Sequence, residues 1–286
     1  MVCTLAMAEI PLTVVILTYN EEKGLRRALD SVCGWALEVL VVDSGSLDRT
    51  VPVCRSYPKV RVYHHPFEDY GRQWNWALDH LPISTEWVMK LDADESVPPT
   101  TRTVIADAIC HAAGNVAAFA LCRKFVFMGK WLRHTVGKCY DVRVWRHGRA
   151  RFESRSVNEH LIVDGKVAYL REPLLHEDQK GLSAWVWRHN RYSTLEAQEY
   201  FRREVPGAGS ISGRSIRLRR LVKQRIWPWV PCKPLVHFLH VYVLRLGFLD
   251  GWQGLAYAKL RYFYYYLIEL KKREHRSPAE SHSAGE

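Results

Sequence analysis

The chain has 286 residues, 48% of them hydrophobic, which is enough for one large globular domain or for a domain with an extension. Its composition excludes a disordered protein, and its formal net charge of +11 is concentrated at one end, because residues 210–286 hold 14 Lys and Arg against 5 Asp and Glu. The 7 cysteines have no C-x-x-C pair or other metal-type spacing, so we expect neither a disulfide framework nor a zinc knuckle, but a protein of the reducing cytosol.

The N-terminal segment MVCTLAMAEIPL lacks the basic start and long apolar centre of a signal peptide, and Met7 is an alternative start. No uncharged run approaches the roughly 18 to 20 residues that span a bilayer. We therefore expect no signal peptide and no transmembrane helix.

Four apolar runs in the first 95 residues are predicted strands, and each ends in polar turn residues. They are TVVILTYN (13–20), VLVVDSG (39–45), VRVYHH (60–65) and WVMKLDADE (87–95), with helix-like stretches between them. This alternation is typical of a parallel sheet with helices on both faces. Ligands bind such sheets at the carboxyl ends of the strands, where the polar tips TYNEE, DSGSLD and DADE fall.

The second half of the chain changes character. After a predicted helix at 98–112, strand pairs follow in AAFALCRKFVFM, VRVWRHGRARFE and HLIVDGKVAYL, with an HG turn in the second and Asp164-Gly165 as a hairpin signal in the third. Helices return from Leu182, including the basic stretch RSIRLRRLVKQRI and the amphipathic, aromatic segment 235–273. We predict one domain at 10–205 with halves 10–97 and 98–205, a basic aromatic helical region at 206–273 and a disordered tail at 274–286.

The acidic tip DADE carries the first candidate chemistry. Asp92 and Asp94 lie one residue apart at a strand end and can converge on one cation, and hard carboxylate oxygens suit Mg²⁺ or Mn²⁺. The alternative is a solvated surface turn. Asp43, at the second strand end, either caps the next helix or accepts hydrogen bonds from a nucleotide. The sequence contains no G-x-G-x-x-G fingerprint and no P-loop, so a nucleotide would be held in another way.

Together, TVVILTYNEEKGLRRALDSV, VLVVDSGSLDRT, GRQWNWAL and WVMKLDADE resemble the nucleotide-sugar-binding half of family-2 glycosyltransferases, which have the GT-A fold. More narrowly, RFESRSVNEHL, LLHED, RHNRYST and LRLGFLDGWQG resemble the β-1,4-glucosyltransferase branch that acts on the lipopolysaccharide inner core. The resemblance covers roughly residues 10–272. It implies an α/β, Rossmann-like mixed sheet with helices on both faces and a C-terminal helical, amphipathic extension.

The resemblance also implies roles for individual residues. Those implied to bind the nucleotide sugar are Thr18, Tyr19, Asn20, Glu21, Asp43 at the uracil, Ser44, Gln73, Asn75 and Asp92. Those implied to hold Mg²⁺ or Mn²⁺ are Asp94 as the more direct ligand, Asp92 and His176, for which a diphosphate contact and a structural role are the alternatives. Two positions depart from the family pattern: Trp74 replaces a usual lysine, whose charge is then missing or supplied by Arg72, and Asn158 replaces the histidine of a V-H-E motif.

An inverting transfer is a single displacement in which a base takes the acceptor proton while a metal stabilises the leaving diphosphate. Glu159 is the first candidate base, because the family motif places a glutamate there, and Asp141 is the second. Either one is alternatively a salt-bridge partner of a nearby arginine. Arg143, Arg146 and Arg155 are phosphate clamps in one interpretation and a solvated strand face in another.

Three interpretations compete for the basic, aromatic C-terminal region: a nucleic-acid surface, a helical packing arm and an arm that binds the membrane interface. We favour the membrane interface and expect no nucleic-acid partner. The sequence then predicts a UDP-sugar-dependent hexosyltransferase, peripheral on the cytoplasmic face of the membrane, that moves glucose from UDP-glucose to a heptose of the lipopolysaccharide core. The alternatives are another membrane acceptor, such as a polyprenyl-phosphate or capsule precursor, and a non-catalytic nucleotide-sugar-binding or nucleic-acid-binding protein.

Overall fold

The computed structural model describes residues 9–153, 161–201 and 232–275. The chain forms two compact units, one that reaches Gly181 and one that begins at Leu182. The first unit is a mixed α/β sheet with helices and the second is helical, so the predicted fold class with its C-terminal helical extension is confirmed. The domain boundary predicted at 205 lies outside the described residues, and the helix before it belongs to the second unit.

Eleven strands and four helices make up the first unit in the part of the chain that the structure describes. The strands are β1 (Ile10–Thr18), β2 (Ala36–Asp43), β3 (Val60–His64), β4 (Trp87–Lys90), β5 (Glu95–Ser96), β6 (Val116–Phe127), β7 (Lys130–Trp131), β8 (Tyr140–Arg146), β9 (Ala150–Phe152), β10 (Leu161–Val163) and β11 (Lys166–Glu177). The helices are α1 (Leu25–Val32), α2 (Thr50–Arg55), α3 (Tyr70–His80) and α4 (Pro99–Cys110). The four predicted strands and the predicted helix at 98–112 are therefore present.

The large sheet has the order β3-β2-β1-β4-β8-β6-β11-β5, with β7 paired to the end of β6. Strands β1 to β4 run parallel to one another, whereas β8 runs antiparallel to both β4 and β6. The sheet is therefore parallel on one side and mixed on the other. The carboxyl ends of β1, β2 and β4 meet at one edge, because neighbouring parallel strands end at the same side.

Alternate residues of β2 show how the helices cover the sheet. Val39 and Val41 pack into one apolar cluster with Leu29 of α1, while Leu40 and Val42 belong to a second cluster with Trp74 of α3. All four β2 residues are fully buried. Because side chains of a strand point alternately to its two faces, an unbroken apolar run requires a helix on each side.

Two predicted strand pairings are wrong. The HG turn joins β8 to β9, yet these strands do not pair: β8 lies in the large sheet and β9 pairs with β10. Likewise the Asp164-Gly165 turn joins β10 to β11, but β11 runs parallel to β6 instead of forming a hairpin. Gly165 has a φ of +135°, and a Cβ there would lie 2.6 Å from the Cβ of Ala117. The glycine is required by this close passage of the chain as well as by its turn.

The second unit consists of α5 (Leu182–Phe201), α6 (Lys233–Leu239), a π-helical turn (His240–Leu244), a 3₁₀ turn (Gly247–Asp250) and α7 (Gly251–Glu274). The ammonium of Lys271 joins α7 to α5 through hydrogen bonds to Asn190 and Thr194. The predicted basic helix RSIRLRRLVKQRI lies outside the described residues. Across the described ranges, no helix combines the length and the apolar character that crossing a bilayer requires.

Candidate active site

The carboxyl ends of β1 and β2 bring Thr18 and Asp43 side by side. The Thr18 hydroxyl donates a 3.1 Å hydrogen bond to Asp43 Oδ1, and both side chains are almost fully buried. On the other side of Asp43, His64 ends β3, with its Nδ1 3.7 Å from Asp43 Oδ2. Three of the predicted strand tips therefore converge, and Asp43 lies at their centre.

Asp43 shapes the loop that follows it. Its Oδ2 accepts hydrogen bonds from the backbone N–H groups of Gly45 (3.0 Å) and Ser46 (2.9 Å), and its Oδ1 accepts one from the Ser46 hydroxyl. Gly45 has a φ of +85°, which favours glycine. The carboxylate therefore folds DSGS into a tight turn, and the predicted contact of Asp43 with uracil stays a prediction.

The TYNEE loop is tied to this turn and is itself constrained. Asn20 adopts a φ of +52°, its N–H donates to Ser46 Oγ (2.9 Å), and its Oδ1 accepts from the N–H of Leu47 (2.9 Å). Glu21 forms an ion pair with Lys180 at 2.6 Å, whereas Tyr19 is 47% exposed. Tyr19 is thus the residue of this loop whose side chain is most available to a ligand.

Gln73 and Asn75 of α3, the two amides predicted to bind the donor, make different contacts. Gln73 is buried, and its amide nitrogen donates to Ser44 Oγ (3.1 Å) and to the carbonyl of His65 (3.1 Å). Asn75 instead pairs with the backbone of Phe152, donating to its carbonyl (2.9 Å) and accepting from its N–H (3.0 Å). Gln73 therefore supports the DSGS turn, while Asn75 holds the end of β9.

The DADE segment surrounds a buried arginine. Arg143 of β8 donates to Glu95 Oε1 at 2.8 Å and to Asp92 Oδ2 at 3.2 Å, and the side chains of Arg143 and Glu95 are 3% and 0% exposed. Burial opposes ionisation of the Asp92 carboxyl, but the adjacent Arg143 and Lys90 cations hold its pKa well below its usual range. For Arg143, the solvated-face interpretation is wrong, because the guanidinium is enclosed by carboxylates.

Asp94 and His176 meet on the other side of this cluster, because β11 pairs with β5 and places His176 opposite Glu95. His176 Nδ1 lies 3.4 Å from Asp94 Oδ1 and 3.7 Å from Glu95 Oε1. Among the described residues, this buried nitrogen has no hydrogen-bond partner. Burial lowers the pKa of His176, but the carboxylates of Asp94 and Glu95 together outweigh it, so the pKa is raised.

Whether a divalent cation fits here depends on the donor atoms that Asp92, Asp94 and His176 present. Within the described ranges, no three His, Cys, Asp or Glu side chains form a ready metal site. Asp94 and the orphaned Nδ1 of His176 nevertheless form an adjoining oxygen and nitrogen pair, and Mg²⁺ commonly takes only one or two protein ligands, with substrate phosphates completing its shell. The donor set therefore fits such an ion, whereas Asp92 is engaged by Arg143.

Of the two candidate bases, the structure describes Asp141 but not Glu159. Asp141 lies 3.0 Å from Arg123 and 4.0 Å from Arg143, so it has the salt-bridge contacts of the alternative interpretation. Glu159, Asn158 and Arg155 lie outside the described residues. Arg146 pairs with Glu86 and stacks over the ring of Trp87 at 4.5 Å, which makes it a strand-end packing residue.

Comparison with known proteins decides the family. The model of glycosyl transferase family 2 matches residues 13–176, which include most of β1, all of β2 to β4, the DADE segment and His176. The chain belongs to glycosyl transferase family 2. It is therefore a glycosyltransferase, as predicted, and the alternative of a non-catalytic or nucleic-acid-binding protein is set aside.

Individual relatives of this family-2 glycosyltransferase are similar over most of its length. The lipopolysaccharide core biosynthesis glycosyltransferase LpsC of Rhizobium meliloti (strain 1021) is 26% identical over 266 residues, which cover 88% of this chain and 90% of LpsC. An uncharacterized glycosyltransferase of Rickettsia typhi is 24% identical over 272 residues, covering 91% and 85%. Among solved structures, S. aureus TarS 1–349 in complex with UDP-GlcNAc shares 15% identity and a TM-score of 0.49 over 93% of this chain and 92% of TarS.

Sequence reasoning about this glycosyltransferase missed the buried pair of Arg143 and Glu95. The sequence suggested a phosphate clamp or a solvated strand face for Arg143, and neither interpretation provides for a buried ion pair. A signal exists in the strand YDVRVWR, where an arginine stands between valines in a segment buried on both faces. A charge at such a position needs a buried partner of opposite sign.

Proposed function

We propose that this glycosyltransferase moves glucose from UDP-glucose to a heptose of the lipopolysaccharide core by a single displacement that inverts the anomeric carbon. The observation that carries the proposal is that the neighbouring parallel strands β2, β1 and β4 end at one edge, where the Thr18–Asp43 pair and the start of the DADE segment follow them. This is the edge at which ligands bind in open α/β sheets. Membership of family 2 and the similarity to LpsC, whose name assigns it to lipopolysaccharide core biosynthesis, support the reaction class and the acceptor.

Asp94 and His176 are the residues proposed to hold Mg²⁺ or Mn²⁺. When bound, the ion would supply positive charge to the leaving diphosphate. Asp92 has a different part, because Arg143 and Lys90 flank its carboxylate and fix it beside the ion site. Glu159 stays the first candidate base and Asp141 the second, and Asp141 would have to act from within its ion pair with Arg123.

The direct test is UDP release by the purified chain with UDP-glucose, Mn²⁺ and a truncated core acceptor. Asp94→Asn is expected to abolish turnover and to remove the Mn²⁺ dependence of UDP binding. Asp107→Asn is the matched control, because Asp107 is an exposed aspartate of α4 that pairs only with His111 among the contacts described. Full activity in Asp94→Asn would contradict the metal role.

Two further experiments test the identity of the catalytic base and of the substrates. Glu159→Gln and Asp141→Asn are compared for turnover at saturating donor, and normal turnover in the first with loss in the second would reverse the assignment. A panel of UDP-sugars tests the donor. Activity on a polyprenyl-phosphate or a capsule precursor, with none on core heptose, would favour the alternative acceptor.

The surface of the second unit supports action at a membrane. Residues 235–252, here named the apolar turn region, expose Leu244 (74%), Trp252 (63%) and Leu249 (54%). Asp250, the acid of this region, is 2% exposed, so the surface presents apolar groups without an exposed carboxylate. Apolar side chains with an interfacial tryptophan, on a chain with +9 in its last 77 residues, fit an anionic lipid surface.

Flotation with phosphatidylglycerol vesicles tests the membrane proposal. Leu244→Gln with Leu249→Gln is expected to reduce vesicle binding about tenfold or more, because burying each leucine contributes roughly 1.5 to 3 kcal/mol. Leu37→Gln is the control, since Leu37 is 44% exposed on β2 in the other unit. Equal binding by all variants, or a change in oligomeric state in place of lipid binding, would refute it.

A further inference from the structure

We propose that Lys90 is the cation that binds the diphosphate of the nucleotide donor. Lys90 is the last residue of β4 and lies two residues before Asp92, at the strand edge described above. It was not among the site residues predicted from sequence. This inference rests on the proposed function, because it names the residue that recognises the donor's most highly charged group.

The position of the ammonium group is fixed by aromatic rings. Lys90 Nζ lies 5.0 Å from the ring centroid of Trp74 and 5.4 Å from that of Phe152, and these two rings stack on each other at 5.3 Å. The side chain of Lys90 is 16% exposed. The faces of both rings attract the cation, so they fix the position of the ammonium at the strand edge.

Carboxylates already concentrate negative charge at this strand edge, so binding a diphosphate there requires a cation. Asp92, Asp94 and Glu95 are all carboxylates, and a diphosphate brings further negative charge to the same place. Arg143 is enclosed and already bonded to Glu95 at 2.8 Å. Lys90 is a second cation at this edge, with its Nζ 3.9 Å from Asp92 Oδ1.

Arg72, the residue first considered for this charge, is in a poorer position. It is 63% exposed and pairs with Glu68 and Asp69 beside the start of α3. An exposed arginine with two acidic neighbours contributes little net positive charge to a ligand. The ring of Trp74 instead lies against the ammonium of Lys90.

The test compares UDP with uridine, which lacks phosphate, in calorimetric binding to the full chain. Lys90→Met is expected to weaken UDP binding about 10- to 100-fold, the loss typical of one charge-assisted contact, and to leave uridine binding unchanged. Methionine packs well against aromatic rings, so this variant should fold. Lys90→Arg, which keeps the charge, should recover part of the UDP affinity.

Lys272→Met is the matched control, because Lys272 of the second unit also has its Nζ over an aromatic ring, 4.2 Å from the centroid of Tyr200, and its side chain is likewise 16% exposed. Its UDP affinity should equal that of the wild type. Equal loss of UDP and uridine affinity in Lys90→Met would assign Lys90 a structural role and overturn the inference, as would unchanged UDP affinity. If the wild-type chain bound no UDP, the proposed function would fail together with the inference.

Discussion

Replacing Arg143 by methionine should destabilise the first unit strongly. The substitution leaves Glu95, which is fully buried, without the guanidinium that lies 2.8 Å from its Oε1, and it frees Asp92 from a 3.2 Å contact. Removing one partner of a buried ion pair costs about 3 to 5 kcal/mol, because the remaining charge stays desolvated. For a unit of this size, 1 kcal/mol shifts the melting temperature by about 2 to 4 °C, so a fall of roughly 6 to 20 °C is expected.

Calorimetric unfolding measures this effect, since two compact units need not unfold in one transition. Arg149→Met is the matched control: Arg149 pairs with Asp164 at 2.7 Å, but both side chains are more than half exposed, so the change should cost less than about 1 kcal/mol. Adding Glu95→Gln to Arg143→Met should recover part of the loss, because it removes the uncompensated charge. Equal melting temperatures for the Arg143 and Arg149 variants would refute the reasoning.

Three further predictions concern other parts of the chain. Burial and nearby cations lower the pKa of His237 to about 4. Between about pH 6.5 and 4 the unfolded chain therefore binds more protons than the folded chain, so the free energy of unfolding falls as the pH falls. The His237→Gln variant should lose less of its free energy of unfolding over this range, as measured by calorimetry. Burial raises the pKa of the Cys33 thiol to about 11, so iodoacetamide at pH 8 should modify exposed Cys110 first, as mass spectrometry would show, and equal rates would contradict this. Asn75→Ala removes two hydrogen bonds to the backbone of Phe152 and should cost about 1 to 3 kcal/mol in urea unfolding, whereas an unchanged midpoint would exclude this anchoring role.

The parallel half of the fold was predictable because each strand is a short apolar run that ends in turn residues, as in ALEVLVVD of β2. The Asp164-Gly165 turn shows where such reasoning stops. A turn signal states that the chain reverses locally, but which strand β11 then joins depends on the free edge of β6, which is remote in sequence.

The candidate site likewise has one part that the sequence predicts and one part that it does not. The adjacency of Thr18 and Asp43 follows from parallel strands that end together, so it could be predicted from the polar tips. The pairing of Arg143 with Glu95 joins residues 48 positions apart, because β8 lies beside β4, the strand that leads into the DADE segment, and no local pattern specifies that contact. Lys90 was missed for a related reason, since its aromatic platform comes from α3 and β9.

The carboxylate of Asp43 works as an internal template for the DSGS turn, with both oxygens engaged by the chain's own hydroxyl and amide groups. Asparagine at this position would offer an NH₂ group to atoms that are themselves donors. An inactive Asp43→Asn enzyme would thus report a rearranged loop as readily as a lost substrate contact. Mutational maps of this edge therefore need a structural readout beside every activity measurement, because the carboxylate predicted to contact uracil is also the one that holds the turn.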